Sequence, residues 1–262
     1  MEPSLSPPLK WAGGKRWLVP HLRPFWRAYA RRRWVEPFCG GLSLALALRP
    51  EEALLSDINP HLINFYIRIQ QGLSIEINLI NSREVYYAHR DRFNTLIRQG
   101  AAFTEEGAQL FYYLNRTGYN GLCRFNRRGE FNVPFGRYKH IAYQRDFYAY
   151  RTLMEGWTFQ RRDFSEVVLL PTDFIYADPP YDVPFRQYSA EGFSWRDQVR
   201  LAEWLAAHPG PVIASNQATD RVVHLYTSLG FRIVRLRGPR RISCTGDRTP
   251  AQEILAFRNI EL

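Results

Sequence analysis

Phe174-Ile175-Tyr176-Ala177-Asp178-Pro179-Pro180-Tyr181 is the stretch on which the fold turns. Phe174 to Ala177 is a short apolar run, aromatic and β-branched, and reads as a buried strand. It stops at Asp-Pro-Pro, because proline gives nothing to a sheet ladder and pushes the residue before it into extended backbone. Asp178, Pro179 and Pro180 are therefore held stiffly at the carboxyl end of a strand, where open α/β sheets bind ligands. Asp178 offers carboxylate oxygens, Pro179 a backbone carbonyl and Tyr181 a flat ring. Together they suit a planar group that carries an NH2. The two acceptors take its protons, the ring stacks on its face, and a poorly nucleophilic ring amine is favoured in the form that can attack. That chemistry needs no serine, cysteine or metal. A plain Asp-Pro turn after a strand is the competing reading of this stretch alone.

Outward from this stretch, strands and helices alternate. Before it, Thr158 to Gln160 predicts a strand leading to Asp163-Phe164. After it come a loop over 182–193 with Gly192 as a hinge, then helices at Trp195–Ala207 and Thr219–Leu229. Strands are expected at Pro211–Ser215, Phe231–Leu236 and Ile254–Phe257. Near the start, Leu9-Lys10-Trp11-Ala12-Gly13-Gly14-Lys15 precedes a helix over 17–29. Arg33 to Glu36 reads as a strand running into Pro37-Phe38-Cys39-Gly40-Gly41 and an apolar helix over 42–48. A strand, a glycine turn and a helix make a nucleotide cradle. The turn is not Gly-x-Gly-x-x-Gly and no Walker lysine follows, which argues against a dinucleotide or a triphosphate. Ala53 to Ser56 is a second strand ending at Asp57, a carboxylate placed for ribose hydroxyls.

From about residue 61 the rhythm changes. Helices are expected over 61–71, 82–98, 104–114 and 144–154. Between the last two lies Asn115 to Tyr138, dense in Arg, Asn, Tyr and Phe, with glycines that suit a hairpin. Arginine and asparagine read base edges, and aromatics stack or wedge between bases. The fold class is therefore α/β, with one sheet domain built from 1–60 and 150–262 and a mainly helical domain, 61–149, inserted in it.

Composition agrees with a nucleic-acid partner. The 262 residues carry a net charge of +10, and the pI is about 9.7. Only three basic residues are lysines, Lys10, Lys15 and Lys139, and two of them flank the first glycine pair. Biased codon usage is the plain explanation; if it replaces lysine wherever arginine will do, the surviving lysines are candidates for sites that want a compact ammonium. Cys39, Cys123 and Cys244 are far apart, which indicates neither disulfide framework nor zinc site and suits a reducing cytoplasm. No apolar run reaches the about 18 residues of a membrane helix, and Met1 to Lys10 lacks the apolar centre of a signal peptide.

In five segments, 9–15, 35–41, 56–59, 111–138 and 178–181, the chain resembles, nearly end to end, the Dam-type site-specific DNA adenine-N6 methyltransferases, a D12, α-arranged class. The resemblance implies a Rossmann-like sheet and S-adenosylmethionine as methyl donor, with no metal. It implies that Trp11, Lys15, Pro37, Phe38 and Gly40 line the cofactor pocket. Asp57 would take the ribose, Asp163 with Phe164 the cofactor adenine, and Asp178 the place between cofactor and target amine. Asp178, Pro179, Pro180 and Tyr181 would form the catalytic motif acting on a flipped adenine. The family's turn often has Gly-x-Gly where this chain has Cys39-Gly40-Gly41.

The resemblance further implies double-stranded DNA as partner and GATC as the site, with Tyr119 intercalating beside the flipped adenine and Asn120 on the neighbouring bases. Leu122 and Pro134 would meet thymine methyls, Arg124 and Lys10 guanines, and Tyr138 the DNA. Relatives with a similar block read longer sites such as GATATC. Cytosine-N4 methylation shares the chemistry, although it goes more with Ser-Pro-Pro-Tyr. A protein-glutamine methyltransferase would start the motif with asparagine, and an inactive DNA-binding protein is the reading outside enzymes. A cytoplasmic monomer is expected. A restriction endonuclease acting on the same site, without a stable complex, is an open alternative to a stand-alone enzyme.

Overall fold

The structure, a computed structural model, describes residues 5–181, 192–238 and 251–260. Most of the loop expected over 182–193, and Cys244, lie outside the described residues. Seven strands form one sheet: β1 Trp34–Glu36, β2 Ala53–Asp57, β3 Trp157–Arg161, β4 Phe174–Ala177, β5 Val212–Gln217, β6 Arg232–Gly238 and β7 Ala251–Arg258. Their order is β3-β2-β1-β4-β5-β7-β6. β7 runs antiparallel to β5 and β6, and the other neighbours are parallel.

Side chains alternate across this sheet. Val35, Ile175, Ala177, Val212 and Ala214 face α7 (Trp195–Ala206) and α8 (Asp220–Ser228) through Leu201, Leu205, Val222 and Tyr226. Trp34, Phe174, Tyr176 and Ile213 face the other way, with Leu22 and Trp26 of α1 (Val19–Tyr29). A sheet covered on both faces needs apolar residues at every strand position, hence the unbroken apolar run in β4. The strand order reverses between β1 and β4. Open α/β sheets bind ligands outside the strand ends at such a switch point, and both Pro37-Phe38 and Asp178-Pro179 follow directly on those carboxyl ends.

Between β2 and β3 the chain forms α3 (Pro60–Gln70), α4 (Arg83–Arg98), α5 (Glu105–Thr117) and α6 (Tyr148–Leu153), with α2 (Ala45–Leu48) preceding β2. Asn59 starts α3 by accepting from the His61 and Leu62 amides, and Pro60 stands first in the helix. α3 faces two ways. Its Tyr66 stacks on Phe159 of β3, and its Phe65 on Tyr112 of α5. One buried cluster therefore runs from the sheet into the helical block.

Some boundaries differ from the sequence reading for local reasons. The helix expected from Leu42 begins only at Ala45, because Leu42 has a φ of +58°. The helix expected from Gln144 begins at Tyr148. The Gln144 amide donates to the Tyr112 hydroxyl and the Arg145 carbonyl accepts from Ile75, so these residues bond sideways instead of along a helix. The last strand starts at Ala251 instead of Ile254, drawn into register by Gly238 to Arg232.

Candidate active site

Asp178 follows β4 and is largely buried. Burial raises its carboxyl above the usual range, opposed by Lys15 and by the Ser215 hydroxyl. Lys15 Nζ is 3.2 Å from Oδ1, and Ser215 Oγ donates to the same oxygen at 2.8 Å. The Tyr176 hydroxyl is 2.7 Å from Ser215 Oγ. Ser215 has one proton and gives it to Asp178, so Tyr176 donates to Ser215. Among the described residues none donates a hydrogen bond to Asp178 Oδ2 or to the Pro179 carbonyl. The Pro180 carbonyl accepts from the buried Gln198 side chain at 2.8 Å, and Asn216 holds Gln198 at 2.9 Å.

Tyr181 is half-buried. Its hydroxyl donates to Glu253 Oε2 at 2.6 Å, and Lys15 Nζ lies 4.5 Å from its ring centroid. Lys15 is itself buried and also donates to the Gly13 carbonyl. Glu36 ends β1 beside this group. Burial pushes its carboxyl from 4.5 to about 8, although Trp34 Nε1 donates to it at 2.7 Å.

The expected cofactor residues gather at the same edge. The Trp11 ring covers the glycine turn. A Cβ on Gly40, whose φ is +44°, would come within 2.8 Å of that ring, so the position requires glycine. The Gly40 amide donates to Asp57 Oδ2, the Asn59 amide to Oδ1, and the Tyr66 hydroxyl to the Gly40 carbonyl. Burial raises the Asp57 carboxyl, opposed by these amides. Pro37 is buried, and Phe38 meets Phe164 at 5.6 Å and Phe193 at 5.7 Å. Asp163 caps the turn it begins by accepting from Ser165. Arg200 Nη2 contacts both its oxygens at 2.9 Å, and the guanidinium lies 4.6 Å from the Phe164 ring centroid. Any ligand reaching Asp163 shares it with Arg200.

The expected DNA residues form a second group. Tyr119 and Asn120 occupy a 3-10 turn over Tyr119–Gly121, and both are exposed, as is Pro134. The Tyr119 amide donates to the Pro134 carbonyl, and Asn120 has a φ of +52°. Leu122 and Arg124 are half-buried. Arg124 Nε donates to Asn132 Oδ1 across the hairpin closed by Phe125 and Phe131. Lys10 joins the two groups. Its ammonium lies 3.4 Å from the Tyr138 ring centroid and donates to the Arg116 carbonyl, and its backbone is clamped by Asn115. Burial and Arg116 lower its ammonium to about 8.

Ser215, Gln198, Asn216, Glu36 and Glu253 did not emerge from sequence reasoning. The polar Ser-Asn-Gln end of an otherwise apolar β5 was the available signal for two of them. Glu253 was lost because the last strand was expected to start only at Ile254, the residue after it. Among the described residues no cluster of His, Cys, Asp and Glu could hold a metal ion, and no helix is long and apolar enough to cross a membrane.

Residues 11–242 match the family profile of the D12 class N6 adenine-specific DNA methyltransferases. The chain is 35% identical to the retron Ec67 DNA adenine methylase of Escherichia coli, covering 96% of this chain and 91% of the relative. It is 34% identical to a DNA adenine methylase of Salmonella typhimurium and 36% to one of Vibrio cholerae serotype O1, each over 95% of this chain and 94% of the relative. Similarity of this extent joins the chain to the family: it is a D12 class N6 adenine-specific DNA methyltransferase.

Proposed function

We propose that this enzyme transfers a methyl group from S-adenosylmethionine to the N6 amine of adenine in GATC, after the adenine has left the duplex. One observation carries the reading. Ser215 donates to Asp178 Oδ1 and Lys15 Nζ is nearest that same oxygen, while Oδ2 and the neighbouring Pro179 carbonyl accept no hydrogen bond from a described residue. An amine with two protons fits those two acceptors. Ser215 and Lys15 fix the carboxylate, and Gln198 fixes the next peptide, so the acceptors are placed in advance.

The donor set suits the cofactor. Asp57 stands at a strand end for ribose hydroxyls, Phe38 and Phe164 give apolar faces, and Ile58, directly after Asp57, is 69% exposed. Trp11, Lys15, Pro37 and Gly40 complete the pocket, and Asp163 takes the cofactor's adenine. When bound, the cofactor supplies a methyl group on a positively charged sulfur. Tyr181 stacks on the flipped base, which offsets part of the few kcal/mol that unpairing costs. Tyr119 wedges into the gap left behind. Asn120, Leu122, Arg124, Pro134, Tyr138 and Lys10 contact the site. All these residues come from one chain, so a monomer suffices.

The test is a single-turnover comparison of Asp178→Ala with the unaltered enzyme on a GATC duplex. The variant should lose at least about a hundredfold in transfer rate and bind the duplex as before. A near-normal rate would overturn the mechanism.

A further inference from the structure

We infer that Glu253 is a positioning residue for the target base. Through its hydrogen bond to the Tyr181 phenol it fixes the tilt of that ring, and through Lys15 it ties the ring to the Asp178 carboxylate. The inference rests on reading Tyr181 as the platform for the flipped base.

Glu253 is 7% exposed, next in sequence to the buried Ile254, Leu255 and Ala256. A carboxylate there loses hydration, and a strand in this setting takes an apolar side chain more cheaply. Among its partners are the Tyr181 hydroxyl at 2.6 Å and Lys15 Nζ at 3.9 Å, both on Oε2. The neighbouring strand makes room for it at Gly238, where a Cβ would come within 2.5 Å of Glu253 Oε1.

Tyrosine's second torsion is broad, so a ring held only at Cβ can tilt. Stacking depends on ring offset and tilt. The phenol is the far end of the lever, and a bond there to a buried charged group is a strong restraint. Lys15, 4.5 Å from the ring centroid and 3.2 Å from Asp178, makes platform, ammonium and carboxylate one connected unit. The strand that supplies Glu253 is antiparallel to β5, which supplies Ser215. The orientation of Asp178 and that of Tyr181 are thus set by paired strands.

The experiment measures single-turnover methyl transfer at saturating cofactor and GATC duplex, with the dissociation constants of both. The variants are Glu253→Ala, Glu253→Gln, Tyr181→Phe, Glu253→Ala with Tyr181→Phe, and Tyr181→Ala. Glu253→Ala and Tyr181→Phe should each slow transfer about 10- to 100-fold, with both dissociation constants within about threefold of the unaltered enzyme. The double variant should be no slower than either single one, because both remove the same bond. Glu253→Gln, which keeps an acceptor for the phenol, should recover most of the rate. The inference is overturned if the two losses multiply, if Glu253→Gln is as slow as Glu253→Ala, or if Glu253→Ala lowers only the melting temperature. Tyr181→Ala separates the two levels. Normal transfer without the ring would remove the platform reading itself. A slow Tyr181→Ala beside a normal Glu253→Ala would remove only the role of Glu253.

Discussion

Two residues carry contrasting expectations about DNA. Arg124 is half-buried and held by Asn132, an arrangement that aims a guanidinium at one place. Arg124→Ala should cost about 1–3 kcal/mol of discrimination at a single guanine, measured by competition between GATC duplexes and duplexes changed at one position. Uniform weakening across sequences would make it a phosphate contact. Lys10 differs because burial and Arg116 bring its ammonium down to about 8. If Lys10 meets the DNA as proposed, the polyanion favours its charged form, and binding draws a proton onto it once the pH passes about 8. Affinity for the duplex should therefore be level below that pH and decline above it. Lys10→Arg, always charged, should flatten the decline. An identical pH profile in both proteins would place Lys10 away from the DNA.

At the scale of elements, β1 has an expectation of its own. Glu36 ends it fully buried, with its carboxyl moved from 4.5 to about 8. The folded protein keeps that proton up to about pH 8, while the unfolded chain releases it above about 4.5. Folding thus binds a proton across that window, and Glu36 makes stability fall as the pH rises through it. Glu36→Gln keeps an acceptor for Trp34 and has no such dependence. It should be more stable than the unaltered protein at pH 8, by on the order of 2 kcal/mol, with the gap closing toward pH 5. Urea denaturation at both pH values checks this, and a gap independent of pH would contradict it. β4 was legible in the sequence because an apolar run followed by Asp-Pro-Pro can end in few ways. The amphipathic pattern over 61–71 likewise announced α3, which starts one residue earlier, at Pro60. Ser215 and Glu253 were not legible. They reach Asp178 and Tyr181 across 37 and 72 residues of chain, by sheet pairing that local pattern does not encode. The left-handed Leu42 was hidden for the opposite reason, since leucine seldom adopts that conformation.

For the whole molecule, the sequence suggests a sheet domain with an inserted helical domain, and the shared core bears on how far these act apart. α3 is buried against β3 on one side and α5 on the other, within one cluster. All seven tryptophans lie outside residues 61–149, so their fluorescence reports on the sheet portion, while far-ultraviolet circular dichroism weights the helices. The two signals should share one midpoint in urea; separated midpoints would show that the block unfolds independently. Such coupling also holds Lys10, Tyr119 and Arg124 in a fixed relation to Asp178. On the proposed function, a flipped adenine from a recognised site would then arrive at the switch point of the sheet. The most direct measurement is modification-sensitive sequencing of DNA from a methylation-deficient bacterial host that expresses this chain. The expected result is N6-methyladenine at every GATC. Modification at another sequence would contradict the assignment of the recognition residues, and soluble protein leaving adenine unmodified would contradict the activity itself.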